Sequence, residues 1–272
     1  MTRLAAFVIS LLLLPAAGAA QPAMQPPDRA PLTITDQTIG MFRIKQVGSI
    51  ILPDGKPPFP AVIVMHGCNG VSESMTVWGR RLASWGYAAL IVNSFGPRGL
   101  QNICGHGRDF PSSERAKDAF TAADYLRTRP DIDHEHIGLI GFSHGGSTVL
   151  AASTAKLVGE NGGKPFPAVV SYYPYCPKLQ LIFVSDLQIL TGDADDWSPV
   201  KRCEDLVANY DAAAAHRPLL KIYPGALHSF ENDRPDRVYF GHHLAYDGKA
   251  ATDSFAVTKA FLDSHLRPGP QQ

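Results

Sequence analysis

Charge is scarce in this 272-residue chain, and neither sign prevails. Only 18% of the residues are charged, and 25 basic residues balance 25 acidic ones. That balance leaves no basic footprint for nucleic acid. No run of like charge marks a tail or a polyanion site. Cysteine is sparse too, with Cys68, Cys104, Cys176 and Cys203 making up the whole complement. No CxxC pair occurs and the spacings are wide, which argues against a zinc site. No internal repeat and no second domain boundary is visible. The apolar stretch Leu4–Leu14 is too short to span a bilayer comfortably.

That stretch has another use. Arg3 precedes it and the small residues Ala17-Gly18-Ala19 follow it, the pattern of a cleavable secretory signal. Residues 1–20 are expected to be a signal peptide and residues 21–40 a Pro-rich, flexible lead-in. Residues 41–272 are expected to form one domain. The mature protein is then periplasmic or secreted, with no integral membrane span once the signal is removed. In an oxidising compartment four cysteines suggest two disulfides, and three pairings are open.

Two apolar runs, "AVIVMHG" and "YAALIVNSFG", read as strands buried on both faces, the mark of a parallel sheet. "MFRIKQVGSIIL" alternates and precedes a turn. Trp78, Leu82 and Trp85 recur at helical spacing, with Gly86 as the stop. "SSERAKDAFTAADYLRTRP" is the clearest helix, with Ser112 or Ser113 able to cap it. "HIGLIGFS", "AVVSYYP", "LQILTGD" and "LLKIYPG" read as further strands, and "ATDSFAVTKAFLDSHL" as a last helix. Strands alternating with helices predict an α/β fold: a mostly parallel central sheet with helices on both faces.

Reactive groups on such sheets gather beyond the carboxyl ends of the strands. One strand runs into Gly141-Phe142-Ser143-His144-Gly145, a Ser between glycines at a strand-to-helix turn. Another ends in Gly192-Asp193-Ala194-Asp195, and a third in Pro224-Gly225-Ala226-Leu227-His228. Ser, acid and His follow in the chain order of α/β-hydrolases. The chemistry requires all three. A serine hydroxyl needs an imidazole to take its proton, and the imidazole needs a carboxylate to fix its tautomer. A surface-loop His alone says little, since His106, His134, His136, His242 and His243 also read as loop residues. The order and strand-end placement of Ser143, Asp195 and His228 carry the argument. Two backbone amides should hold the developing oxyanion: that of His144, after the nucleophile, and that of Cys68 in the loop His66-Gly67-Cys68-Asn69-Gly70, with Gly67 as the other choice. Asp133 to His136, "DHEH", reads as a polar turn at the wrong end of the sheet rather than a metal site.

Taken in order, "MHGCNG", "NSFGPRG", "GLIGFSHGG", "LTGDADDW" and "YPGALHSF" resemble the dienelactone hydrolase family of α/β-hydrolases, from about Phe42 to Leu266. The resemblance implies a compact domain without a large lid. It supports Asp195 as the acid, three residues past Gly192, together with His228 as the base and Cys68 as an oxyanion amide. Two features depart from the family pattern. A Ser stands where well-studied members carry a Cys nucleophile, and Gly67 stands where they carry a Glu. Family members bind a substrate carboxylate with arginines, and Arg98 lies in a matching loop; it is either such an anion clamp or a loop-stabilising residue whose five donors bond carbonyls. Tyr175 and Trp197, with Phe142, His144 and Phe230, could line a pocket. Cys68 and Cys104 both follow neighbouring strands near the active-site face. Cys176 follows a strand and Cys203 follows the acid loop. The expected bridges are therefore Cys68–Cys104 and Cys176–Cys203.

The expectation is a serine hydrolase that cleaves a small-molecule carboxylic ester, lactone or thioester through an acyl-enzyme on Ser143, with no cofactor and no metal. A peptidase or an acyltransferase could use the same triad. A non-catalytic secreted binding module on this fold is the alternative from another class, and the intact triad argues against it.

Overall fold

The computed structural model of the protein describes residues 33–39, 44–107, 109–179 and 181–267. The expected signal peptide (1–20) and residues 21–32 of the lead-in lie outside the described residues. An eight-stranded sheet forms the centre: β1 (Thr33–Ile39), β2 (Ile44–Ile51), β3 (Phe59–Met65), β4 (Ala88–Asn93), β5 (Ile132–Phe142), β6 (Val169–Tyr172), β7 (Leu187–Gly192) and β8 (Leu219–Tyr223). Its order is β1-β2-β4-β3-β5-β6-β7-β8. Strands β3 to β8 run parallel, while β2 runs antiparallel to β1 and β4.

The unbroken apolar runs follow from burial on both faces. Along β3, Ala61, Ile63 and Met65 join one core, with α2 (Ser112–Arg127), α3 (His144–Ala152), α4 (Ala155–Glu160) and α5 (Lys201–Ala208). Val62 and Val64 join the other, with α1 (Glu73–Ser84) and α6 (Gly248–Leu266). No cap domain is inserted among the described residues. The turn after α1 is closed by Gly86 at φ +88°, with its amide donating to the Ala83 carbonyl. The side chain of Asp247 caps α6 by accepting from the amides of Lys249 and Ala250.

Three local expectations need correction, and one element was not foreseen. Residues 33–39, counted in the flexible lead-in, form the edge strand β1 in continuous register with β2. Asp133–His136 is not a turn but part of β5. The pairing of β5 with β3 jumps from Phe59–Ile132 to Ala61–Ile137, so these polar residues bulge out of the ladder while the apolar ones stay in it. Ser112 and Ser113 lie inside α2 rather than capping it, because the Pro111 carbonyl already accepts from the Arg115 amide. The hairpin of β9 (Arg237–Tyr239) and β10 (His242–Leu244) was not legible, as three-residue strands carry too little periodicity.

Ile63 is fully buried at the centre of the sheet. Ile63→Ala is expected to cost about 2–5 kcal/mol through lost transfer energy and a residual cavity, read as a lower urea midpoint with an unchanged slope.

Candidate active site

The three strand-end loops meet at one point. Ser143 follows β5 and caps α3 with φ +54° and ψ −117°, a strained conformation for a non-glycine residue. The strain is held from both sides. The Ser143 amide donates to the Tyr172 carbonyl, and the Ser143 carbonyl accepts from the Ser147 amide. The flanking glycines are sterically obligatory. A Cβ on Gly141 would lie 2.2 Å from the Gly145 carbonyl oxygen, and one on Gly145 would lie 2.1 Å from that of Met65. The acid loop is built alike: a Cβ on Gly192 would lie 1.9 Å from the Ala226 carbonyl oxygen, where the acid and histidine loops touch.

Ser143 Oγ lies 3.0 Å from His228 Nε2, and His228 Nδ1 lies 2.7 Å from Asp195 Oδ2. With Nδ1–H donating to the carboxylate, Nε2 is left to accept the serine proton. Asp195 Oδ1 accepts from the amides of Trp197 and Ser198, at 2.9 and 2.8 Å. Both His228 (2% exposed) and Asp195 (4%) are shut off from solvent. The imidazole is packed between Tyr173 and Trp197, with ring centroids 4.6 and 5.1 Å away. Leu244 in β10 pairs with the backbone of His228, so the hairpin steadies the base.

Two cavities open beside Ser143. The smaller, about 60 Å³, is walled by Gly67, Cys68, Asn69, Tyr173, Arg237 and Tyr239 among others. The larger, about 660 Å³, runs past the Cys68–Cys104 bridge, His144, Tyr175 and Trp197. Gly67 stands next to the nucleophile, since a Cβ on it would lie 3.8 Å from Ser143 Cβ. Both disulfides join the expected cysteines, Cys68 with Cys104 and Cys176 with Cys203. The first ties the loop after β3 to the loop after β4, and the Cys68 carbonyl adds a bond from the Ile103 amide. The two bridges agree with folding in an oxidising compartment. No described helix is long and apolar enough to cross a membrane.

Of the two places open to Arg98, the structure shows the loop-stabilising one. Its guanidinium makes a two-pronged pair with Asp118 at 2.8 and 2.9 Å and donates to the Ser94 carbonyl. It lines neither cavity beside Ser143. The geometry of its own loop takes up its donors. Tyr175 and Trp197 do stand on cavity walls, whereas Phe230 is core. Sequence reasoning also passed over Glu231, three residues beyond His228. Its buried carboxyl accepts from the Tyr173 hydroxyl at 2.9 Å and from the Trp78 indole at 3.4 Å. Desolvation pushes that carboxyl above the usual carboxylate range. An acid inside "HSFEND" was the signal available.

A Ser-His-Asp relay at a strained turn, on a sheet of this order, defines an α/β-hydrolase. The chain belongs to the Dienelactone hydrolase family, which it matches over residues 47–266. It is a hydrolase of esters or lactones. A Synechocystis protein named as a carboxymethylenebutenolidase is 21% identical over 245 residues, covering 85% of this chain and 96% of that protein. A Klebsiella pneumoniae structure described as a dienelactone hydrolase superposes with a TM-score of 0.67 at 20% identity, covering 85% of this chain and 98% of the other. The dienelactone hydrolase-like promiscuous phosphotriesterase P91, from metagenomic libraries, gives 0.67 at 21% identity over 86% and 99% of the two chains. The structural likenesses establish the shared fold.

Two predictions follow from these contacts. Gly145→Ala drives a methyl group into the β3 backbone, and is expected to lower the melting temperature and abolish turnover; a variant with wild-type melting would contradict the packing. Cys104→Ser frees the loop after β3, and is expected to cost on the order of 3–4 kcal/mol in denaturant titration if chain entropy dominates.

Proposed function

We propose that Ser143 is the nucleophile of a carboxylic-ester or lactone hydrolase, with thioesters within its chemical reach. The carrying observation is the continuous relay Ser143–His228–Asp195, with contacts of 3.0 and 2.7 Å. As Ser143 Oγ attacks the carbonyl carbon, His228 Nε2 takes its proton. Asp195 stabilises the imidazolium that results. The amides of Cys68 and His144 receive the oxyanion. When the tetrahedral intermediate collapses, His228 passes the proton to the leaving alcohol, or to the ring oxygen of a lactone. An acyl group then remains on Ser143. Water, activated by the same imidazole, releases the acid and restores the serine. Two cavities of different size, both bordered by Ser143, suit a substrate with one small and one large arm. Export on the signal peptide at 1–20 belongs to the same reading, and the two disulfides support it.

The test is hydrolysis of p-nitrophenyl acetate and butyrate by the oxidised protein. Ser143→Ala and His228→Ala are each expected to lower kcat by roughly 10⁴-fold or more. Turnover retained in Ser143→Ala would overturn the assignment. Fluorophosphonate labelling of the wild type should map to Ser143, and competition with peptides distinguishes an esterase from a peptidase.

A further inference from the structure

Behind the nucleophile turn lies a charge that the mechanism above does not use. Arg115, on the first turns of α2, is fully buried. Its Nη1 donates to His144 Nδ1 at 3.1 Å. Its guanidinium carbon lies 5.0 Å from the Phe95 ring centroid, and the same ring meets His66 edge-on at 4.5 Å. Arg115 thus reaches His144 directly and His66 through one aromatic ring. His144 follows the nucleophile. His66 opens the loop that carries Gly67 and Cys68. These are the two backbone segments assigned to the oxyanion.

The cluster is incompletely paired. Among the described residues, Arg115 Nε and Nη2 and His66 Nε2 are buried without a hydrogen-bond partner, while the His144 ring also meets the backbone of Phe110. Unpaired buried polar groups are costly and are kept where they serve a purpose. The Asp118 carboxylate, engaged two-pronged by Arg98, also attracts the Arg115 guanidinium, and the Arg98 charge opposes it. Burial lowers the Arg115 guanidinium to about 9, which leaves it charged at neutral pH. Burial, then the neighbouring guanidinium, lowers His144 to about 4 and depresses His66 in the same way. Both imidazoles are therefore neutral, and the fixed positive charge beneath the loop is that of Arg115.

We propose that Arg115 is the positioning residue of the oxyanion hole, bracing its two halves from behind and supplying a stationary positive field for the charge that develops there. The inference rests on the assignment of Ser143 and the two amides. A field of this kind acts on the transition state more than on the neutral ester, so it belongs in kcat rather than KM.

The experiment compares Arg115→Gln, Arg115→Lys, His144→Ala and Ser143→Ala in the oxidised protein. Three quantities are read: kcat per active site titrated with fluorophosphonate, KM for p-nitrophenyl acetate, and inhibition by an alkyl boronic acid, which forms an anionic tetrahedral adduct on serine. Arg115→Gln is expected to lower kcat roughly tenfold or more with KM within about threefold, and to weaken the boronic acid by the same factor as kcat. Arg115→Lys should regain part of both. A folded Arg115→Gln with unchanged kcat per titrated site, or with unchanged boronic acid affinity, overturns the proposal. If Arg115→Gln does not fold, His144→Ala decides the bracing, because it cuts the same hydrogen bond while keeping the amide and the Arg115 charge: normal kcat and boronic acid affinity there overturn Arg115 as a positioning residue. An inactive Ser143→Ala beside an unimpaired Arg115→Gln removes this inference alone. An active Ser143→Ala removes the nucleophile assignment beneath it.

Discussion

Gly145 presses the first turn of α3 against the end of β3 until backbone meets backbone. A Cβ there would lie 2.1 Å from the Met65 carbonyl oxygen and 2.5 Å from that of His66. Much of the site depends on this contact. It sets how far α3 advances over the sheet, and so where Ser143 sits above the strand ends. It brings the Gly67–Cys68 loop against the nucleophile. It also sets where the α3 N-terminus, with its partial positive charge, stands beside Ser143. The strain at Ser143 is sustained because β6, through the Tyr172 carbonyl, and α3, through Ser147, hold it from opposite sides. A looser helix would let the serine relax out of reach of His228.

The second requirement is electrostatic. Asp195 is a buried carboxylate, and a buried charge persists only when its lone pairs are taken up. Two amides and an imidazole take them up. The carboxylate therefore orients His228 without having to reorganise as the imidazolium forms. Removing one member of such a set leaves the others uncompensated, which is why the acid loop is built as tightly as the nucleophile turn, glycine against backbone at Gly192 and Ala226.

The parts of this site that could be read from the sequence are those fixed by local backbone geometry. Strand-end glycines, a serine between them and the order of serine, acid and histidine are local signals, and the structure brings these three side chains into one relay. The disulfides were legible because each cysteine follows a strand at the same end of the sheet. Arg98 was left open between two places for a physical reason: a guanidinium in a loop near the site has five donors, and its partner Asp118 lies 20 residues away on α2. Arg115 and Glu231 were passed over because burial is what makes them notable, and a helix pattern or a loop motif does not reveal it. β1 and the β9–β10 hairpin escaped because short or edge strands carry weak periodicity.

The choice of group for the charge beneath the oxyanion loop has a consequence of its own. An imidazole buried there would be held neutral, as His66 and His144 are, and would supply no fixed charge. A lysine could hold the charge but not the geometry, since an ammonium on a flexible stem gives no planar fork. A guanidinium keeps both. Set against it, His66 and His144 are held neutral, and each has its Nδ1 engaged, by the Gly67 carbonyl and by Arg115. The mobile proton is thereby confined to the Ser143–His228 relay, while the surrounding polar groups stay fixed. That division is what preorganisation requires: dipoles and charges that need not move when the reacting oxygen becomes negative.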